Sequence, residues 1–505
     1  MRDGTVLLAD RWIPASGGDG LPVALLRTPY GRSGPSVWPM AGPLAERGFQ
    51  VVVQSTRGTF GSGGPFDPLR RERQDGLDTL DWLIGQPWAG DAVVLVGGSY
   101  LGYVQWAVAD AVPPQVKAMI PAVSESALTL EFLRADGFSL ETPFGWGVQV
   151  AGQEHRLAML RGLLGGKKTA RALRTLPLRD ADVAATGRRS EYIQSILALD
   201  TGDPYWAAAD HSGRVREVTI PASLIGGWYD IFLPGQLRDF RALRNARLTV
   251  GPWTHLSATG VGGMSAREAL EFGLAHASAG RPPERAPVRL FVMGHDAGWR
   301  DFPSWPPPGY HAHRLHLQAD GSLSAEVPAE STSDSFRYDP VDPTPAVGGV
   351  RMSMAGKAGP VDNTRLEARP DVLIYTTPVL DSDVEVVGEV AAEIWFQSSL
   401  RHADVFARLC DVDAKGRSTN VCDGLISLTG ADEISRAVVK LWPTAYRFRQ
   451  GHRIRVQVSS GAFPRFNRNP GTGEPRADAV MLRAADQQVF HGPEHPSALI
   501  LSVRA

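Results

Sequence analysis

The segment "AVVLVGGSYLG", Ala92–Gly102, carries an unbroken apolar run straight into two glycines and a serine, and the chain then continues as "YLGYVQWAVADAV". A Val/Leu run without polar alternation suits a strand buried on both faces, as in a parallel sheet covered by helices, and the spacing after the serine is helical. Strand, sharp turn and helix in that order lift a serine hydroxyl above the C-terminal edge of an open sheet. Gly97 and Gly102 ease the turn, while Leu101 stands where a Gly-x-Ser-x-Gly motif has its second glycine. On its own the serine fits a tight turn without chemistry equally well.

Neighbouring segments repeat the pattern. "LPVALLRTPYG" and "FQVVVQSTRGTFGSGG" are further buried-strand candidates, with a helix between them and Ser99 in "DGLDTLDWLIGQ". From about residue 124 the spacing turns helical, in "SALTLEFLRADGF" and "EHRLAMLRGLLGGKKTARALRTL", and strands resume with "PASLIGGWYD" and "ARLTVGPWTH". Past "SWPPPG", where consecutive prolines exclude both helix and central strand, short alternating segments such as "HRLHLQ", "DVEVVGEVAAEIWFQ", "DVFARLCDV" and "HRIRVQVSS" predict an antiparallel sandwich of jelly-roll type. The expected fold is α/β: a doubly wound α/β-hydrolase sheet from residues 1–123 and 222–308, a helical cap inserted at 124–221, and a jelly-roll β-sandwich at 309–505.

In a doubly wound sheet, residues just past the C-terminal ends of parallel strands converge on one crevice. Ser99 ends one such strand, Asp230 ends "ASLIGGWYD" and His255 ends "RLTVGPWTH". A serine hydroxyl needs a base within reach and a carboxylate to orient that base, and the order Ser, Asp, His is that of α/β-hydrolases. Tyr30, ending "ALLRTPY", offers a phenol, and the Tyr100 amide follows the nucleophile; both are candidate donors to an oxyanion. Each residue also has a plainer reading: Asp230 as a helix cap, His255 as a satisfied polar group, Tyr30 as packing beside Pro29. Trp228 and Trp253 are near the site in sequence, and Trp146 in "PFGWGV" is a cap residue able to close over substrate; ordinary packing competes with a pocket role for all three.

A net charge of −2 with 21% charged residues gives no basic excess for nucleic acid or an anionic membrane. The 505-residue chain has two cysteines, Cys410 and Cys422, without zinc-ligand spacing; they read as reduced thiols, with pairing across one hairpin left open. The N-terminal "MRDGTVLLADRW" lacks a signal-peptide core and no run is long enough to span a membrane, so a soluble, cytoplasmic protein is expected. His311 and His313 alternate on a strand face with His316 nearby, but no further ligands suggest a metal. The charged stretch "DPLRRERQDG" reads as a solvated loop or helix face.

"MRDGTVLLAD", "LLRTPYGR", "QSTRGTFGSGG", "GGSYLGY", "GGWYDIF" and "GPWTH" together resemble the serine hydrolases of the cocaine esterase and Xaa-Pro dipeptidyl-peptidase family. "RPDVLIYTTPVL", "FRQGHRIRVQVSSGAFPRFNRNPGTGE" and "HPSALIL" resemble that family's jelly-roll domain. The resemblance implies Ser99 as nucleophile, His255 as base, Asp230 as its orienter, and Tyr30 with the Tyr100 amide as oxyanion hole. It further implies an acyl-pocket role for Phe232, no cofactor, and a homodimer as one assembly open to the chain. It implies too that a strand precedes "MRDG" in relatives, so that the first strand is missing or the start lies late. An acid often stands in relatives at the position of Ser55, which leaves open the partner of Arg57. The expected function is hydrolysis of a small-molecule ester or amide through an acyl-enzyme, with carboxylesterase favoured. Glu125, Glu131, Asp136 and Glu141 in the cap are candidates to bind a substrate ammonium, which keeps a dipeptidyl peptidase, an amino-acid ester hydrolase or an acylase open, beside an acyltransferase. The reading from another class is an inactive hydrolase scaffold that binds a ligand through its jelly roll.

Overall fold

The computed structural model describes residues 1–34, 37–128, 137–154, 158–200, 202–352 and 357–504. The strands of the N-terminal part are β1 (Ala9–Trp12), β2 (Val23–Thr28), β3 (Gln50–Ser55), β4 (Val93–Gly98), β5 (Val116–Ala122), β6 (Ala222–Tyr229), β7 (Ala246–Thr254) and β8 (Val288–Gly294). They lie side by side as β1-β3-β2-β4-β5-β6-β7-β8. β1 is antiparallel to β3 at the edge, and every other neighbouring pair is parallel.

The apolar runs explain the layers. Helices α1 (Trp38–Ala45), α2 (Glu72–Ile84), α3 (Tyr100–Trp106), α4 (Glu141–Gly152), α5 (Ala158–Ala172), α6 (Ala181–Thr186), α7 (Glu191–Ala198) and α8 (Leu233–Ala242) surround the sheet. Successive residues of a strand point to opposite faces: Val93 and Leu95 of β4 pack with Leu80 and Leu83 of α2, Trp106 of α3 and Leu237 of α8, while Val94 and Val96 pack with Ala41 and Leu44 of α1 and with Phe272. Because both faces are covered, apolar residues occupy every position of the run. α4 to α7 sit between β5 and β6, forming an inserted helical region over the sheet.

The C-terminal part is an antiparallel β domain. β9 (Gly298–Phe302) still belongs to the hydrolase sheet, antiparallel to β8; the strands of the C-terminal domain are β10 (Tyr310–Leu317), β11 (Leu323–Ser324), β12 (Thr332–Tyr338), β13 (Leu373–Thr376), β14 (Val384–Ser398), β15 (His402–Val412), β16 (Ser418–Thr429), β17 (Ser435–Phe448), β18 (Arg453–Ser459), β19 (Ala485–His491) and β20 (Ala498–Arg504). β13-β18-β15-β16 form one layer, and β17-β14-β20-β10-β11 with β12 and β19 the other. Between them, alternate residues Val390, Ala392, Ile394 and Phe396 of β14 and Val405, Ala407 and Leu409 of β15 share one core. The proline-rich boundary does not interrupt the hydrogen-bonded ladder: β8 pairs in parallel with β17, Met293 beside Tyr446 and Gly294 beside Arg447.

Cys410 and Cys422 are neighbours on the β15–β16 hairpin yet are free and buried. A register shift after Leu409 sets Cys422 opposite Leu409 and Cys410 opposite Asn420, so the disulfide that the hairpin left open is not formed. Burial pushes the Cys410 thiol up to about 12, and the thiolate is the reactive form. Ellman's reagent should therefore titrate no thiol in the folded protein and two in denaturant; fast reaction of the native protein would contradict this burial.

Two surface expectations change or acquire detail. The segment around Glu72 is not simply solvated: Glu72 is 4% exposed and Asp75 1%, because each carboxylate is ion-paired inside, with Arg27 and Arg57 respectively. His311 and His313 are exposed on β10 whereas His316 is buried, and among the described residues no group of three His, Cys, Asp or Glu could hold a metal. Among those residues, no helix is long and apolar enough to cross a membrane.

Candidate active site

Ser99 joins β4 to α3 with φ 57° and ψ −125°, a conformation that costs an ordinary residue about 1–3 kcal/mol and raises its Oγ above the sheet edge. The turn closes because Gly97 has no side chain: a Cβ there would lie 2.4 Å from Leu101 Cβ. Leucine in place of the motif's second glycine is accommodated at the first one. Gly102 performs the other service, since a Cβ would meet Ser124 Cβ at 2.6 Å where α3 closes on the chain after β5.

Asp230 follows β6, fully buried, and His255 follows β7, 7% exposed. His255 Nδ1 lies 2.6 Å from Asp230 Oδ2, and Nε2 lies 2.9 Å from Ser99 Oγ. A carboxylate only accepts, so Nδ1 carries the imidazole proton and Nε2 presents its lone pair to the serine hydroxyl. The Phe232 amide donates to Asp230 Oδ1 at 2.9 Å, so the helix-start contact and the histidine contact occupy different oxygens of one carboxylate. The Asp230 carbonyl accepts from Trp442 Nε1 of β17 at 3.0 Å. The Phe232 ring stands edge-on to the imidazole, with centroids 5.3 Å apart.

On the other side of Ser99, the Tyr30 hydroxyl faces the serine side chain and accepts from Trp146 Nε1 at 2.9 Å. Burial pushes the phenol up to about 12, so it keeps its proton at neutral pH. Tyr100 is the first residue of α3, where a backbone N–H has no partner within the helix. Its phenol donates to Glu72 Oε1 at 2.8 Å and accepts from the Leu69 amide at 2.9 Å. Glu72 is ion-paired with Arg27, at the end of the strand that delivers Tyr30. Burial raises the Glu72 carboxyl while Arg27 opposes the rise.

Thus Ser99, Asp230, His255, Tyr30, Tyr100, Phe232 and Trp146 are brought together. Two tryptophans are not, and the structure corrects both. Trp228 is still inside β6, 1% exposed in the core beneath the sheet edge, its ring tilted against that of Trp305 and its indole donating to the Phe291 carbonyl. Trp253 folds back over Gly251 and Gly260 and packs on Trp299; the glycines leave room for the indole on the outer face, where it borders a surface cleft with Met264. Of the cap acids, Glu141 forms a two-pronged ion pair with Arg351 and Glu125 lies 3.6 Å from Arg238; Glu131 and Asp136 lie outside the described residues. Arg57 finds its partners in Asp75 and Asp3, which leaves Ser55 without that duty. Glu72, Arg27 and Trp442 had no signal in the sequence, since their partners are distant in the chain.

Residues 3–257 match the model of the X-Pro dipeptidyl-peptidase (S15 family), and 284–500 that of the X-Pro dipeptidyl-peptidase C-terminal non-catalytic domain. The chain is 32% identical to cocaine esterase of a Rhodococcus strain, over all of this chain and 97% of that one. It belongs to the X-Pro dipeptidyl-peptidase (S15) family of serine hydrolases. A putative serine esterase of Mycobacterium bovis is 25% identical to this S15 chain over 93% of it and 91% of its own length. The S15 architecture recurs in the crystal structure of an aminopeptidase from a marine sediment Thaumarchaeota archaeon, with a TM-score of 0.85 at 21% identity over all of this chain and 95% of that one.

Proposed function

We propose that the chain is a carboxylesterase acting on small-molecule esters through an acyl-enzyme. The observation that carries this reading is the unbroken line from Asp230 Oδ2 through the His255 ring to Ser99 Oγ. His255 takes the proton as Ser99 attacks the carbonyl, Asp230 steadies the imidazolium, and the proton returns to the leaving alcohol; water then releases the acid by the same route. The Tyr30 hydroxyl and the Tyr100 amide receive the oxyanion. Phe232 and Trp146, which share an apolar cluster with Tyr192, form the wall against the acyl group.

Ester is favoured over peptide for two reasons. Glu141 and Glu125 are engaged by arginines, which disfavours them as partners for a substrate ammonium, and the 32%-identical relative is an esterase by name. The reading takes residues 1–123 and 222–308 as the catalytic domain, 124–221 as its cap and 309–505 as the sandwich, and two buried free thiols suit a reducing cytoplasm.

A fluorophosphonate probe should label the native protein at Ser99, and p-nitrophenyl acetate should turn over faster than an Xaa-Pro p-nitroanilide. Absence of labelling together with absence of ester turnover would leave the ligand-binding scaffold in its place. Preference for the anilide would make the protein a peptidase.

A further inference from the structure

Trp146 packs against both tyrosines that supply the oxyanion donors, meeting one of the two donor groups, the Tyr30 hydroxyl, directly. Its indole Nε1 donates to the Tyr30 hydroxyl at 2.9 Å. Its ring lies parallel to the Tyr100 ring, with centroids 5.8 Å apart and planes 13° apart, and the Tyr192 edge closes the other contact at 4.9 Å. An indole N–H can only donate. The Tyr30 oxygen must therefore act as acceptor toward Trp146, and its single proton is turned to the other side, where Ser99 lies. A phenol without that partner could rotate its proton away and offer Ser99 a lone pair instead, which would repel an oxyanion.

The helix that carries Trp146 is fastened at both ends. At its start, Glu141 is paired with Arg351 and the Leu140 amide donates to the Arg465 carbonyl at 2.9 Å, both partners belonging to the C-terminal part. Just beyond its end, Gln153 Nε2 donates at 2.8 Å to the carbonyl of Pro29, the residue before Tyr30. The indole and the phenol are therefore held by one rigid element and one shared loop, the kind of supporting contact that keeps a transition-state donor aimed in advance.

We infer that Trp146 is a positioning residue for the reaction, fixing the Tyr30 hydroxyl as a proton donor toward the oxyanion through its indole N–H, in addition to any contact with the acyl group. The inference rests on the esterase reading of the site. It differs from a pocket-wall role in what it predicts. A wall residue acts on substrate binding and acyl preference, whereas a positioning residue acts on turnover and only through Tyr30.

The test is a double-mutant cycle on p-nitrophenyl acetate. Trp146→Phe should lower kcat about tenfold with KM changed by less than about threefold, since a donor is weakened rather than removed; Tyr30→Phe should cost about a hundred- to a thousand-fold. Adding Trp146→Phe to Tyr30→Phe should cost nothing further in kcat. Equal losses from Trp146→Phe in both backgrounds, or an unchanged kcat with altered KM, would overturn the inference. Should the phenylalanine variant not fold, benzothienylalanine at position 146 keeps the bicyclic ring and its stacking but lacks the N–H. It should reproduce the tenfold loss, and wild-type turnover would again overturn the proposal. Fluorophosphonate labelling of the wild type separates the two levels: no labelling of Ser99 sinks the hydrolase reading, while labelling with independent losses sinks only the role of Trp146.

Discussion

Ser99→Ala should lower kcat for an aryl ester by about a million-fold, the loss seen when a triad nucleophile is removed. The variant should keep its fold, because the contacts that hold the turn are made by the backbone: the Ser99 amide donates to the Ala122 carbonyl at 2.9 Å, and the Ser99 carbonyl accepts from the Gly102 and Tyr103 amides. Alanine at φ 57° is strained as serine is, so thermal unfolding should move little. The residual rate reports the oxyanion donors and binding alone. A variant within about tenfold of wild type would show that another group performs the attack.

Asp230→Asn should cost about ten-thousand-fold in kcat, as expected when a triad acid becomes an amide. The carboxylate now accepts on both oxygens, from His255 Nδ1 and from the Phe232 amide. An asparagine must keep its one oxygen for one of them. If Phe232 holds that oxygen, the side-chain NH2 faces Nδ1, the imidazole shifts to the tautomer with its proton on Nε2, and the lone pair that receives the serine proton is lost. The Trp442 contact uses the main-chain carbonyl and survives the substitution, so the loss should appear in turnover with the midpoint of thermal unfolding nearly unchanged. Loss of less than about a hundredfold would mean that Asp230 does not orient the base.

Ser99, Asp230, His255 and Tyr30 could be picked out in the sequence because each ends an apolar strand run, and strand ends in a parallel sheet converge by topology. Nearness in sequence did not bring Trp228 and Trp253 into the site: both are still within their strands, and the direction of the Trp253 indole is set by the absence of side chains at Gly251 and Gly260. What could not be read was whatever depends on packing between distant segments. Glu72 looked like part of a solvated charge run, because no local pattern shows that Arg27 and Tyr100 surround its carboxylate. Trp146 was recognisable as a cap aromatic, but its hydrogen bond to a residue 116 positions earlier follows from how α4 is fastened. Trp442 lies 212 positions from the carbonyl it supports, beyond the reach of any spacing rule.

The ladder from β8 to β17 bears on how such a protein could be engineered. Grafting the sandwich of another family member onto this hydrolase sheet, as if it were an exchangeable cassette, would have to recreate the Met293–Tyr446 register and return an indole to the Asp230 turn. A truncated fragment ending near Pro308 would keep β9 along Val288–Val292 of β8, but would strip the backbone of Met293 and Gly294 of its partner strand and would leave the acid's turn without its outer clasp. The segment that contributes no reacting atom is thus part of the frame within which the reacting atoms meet.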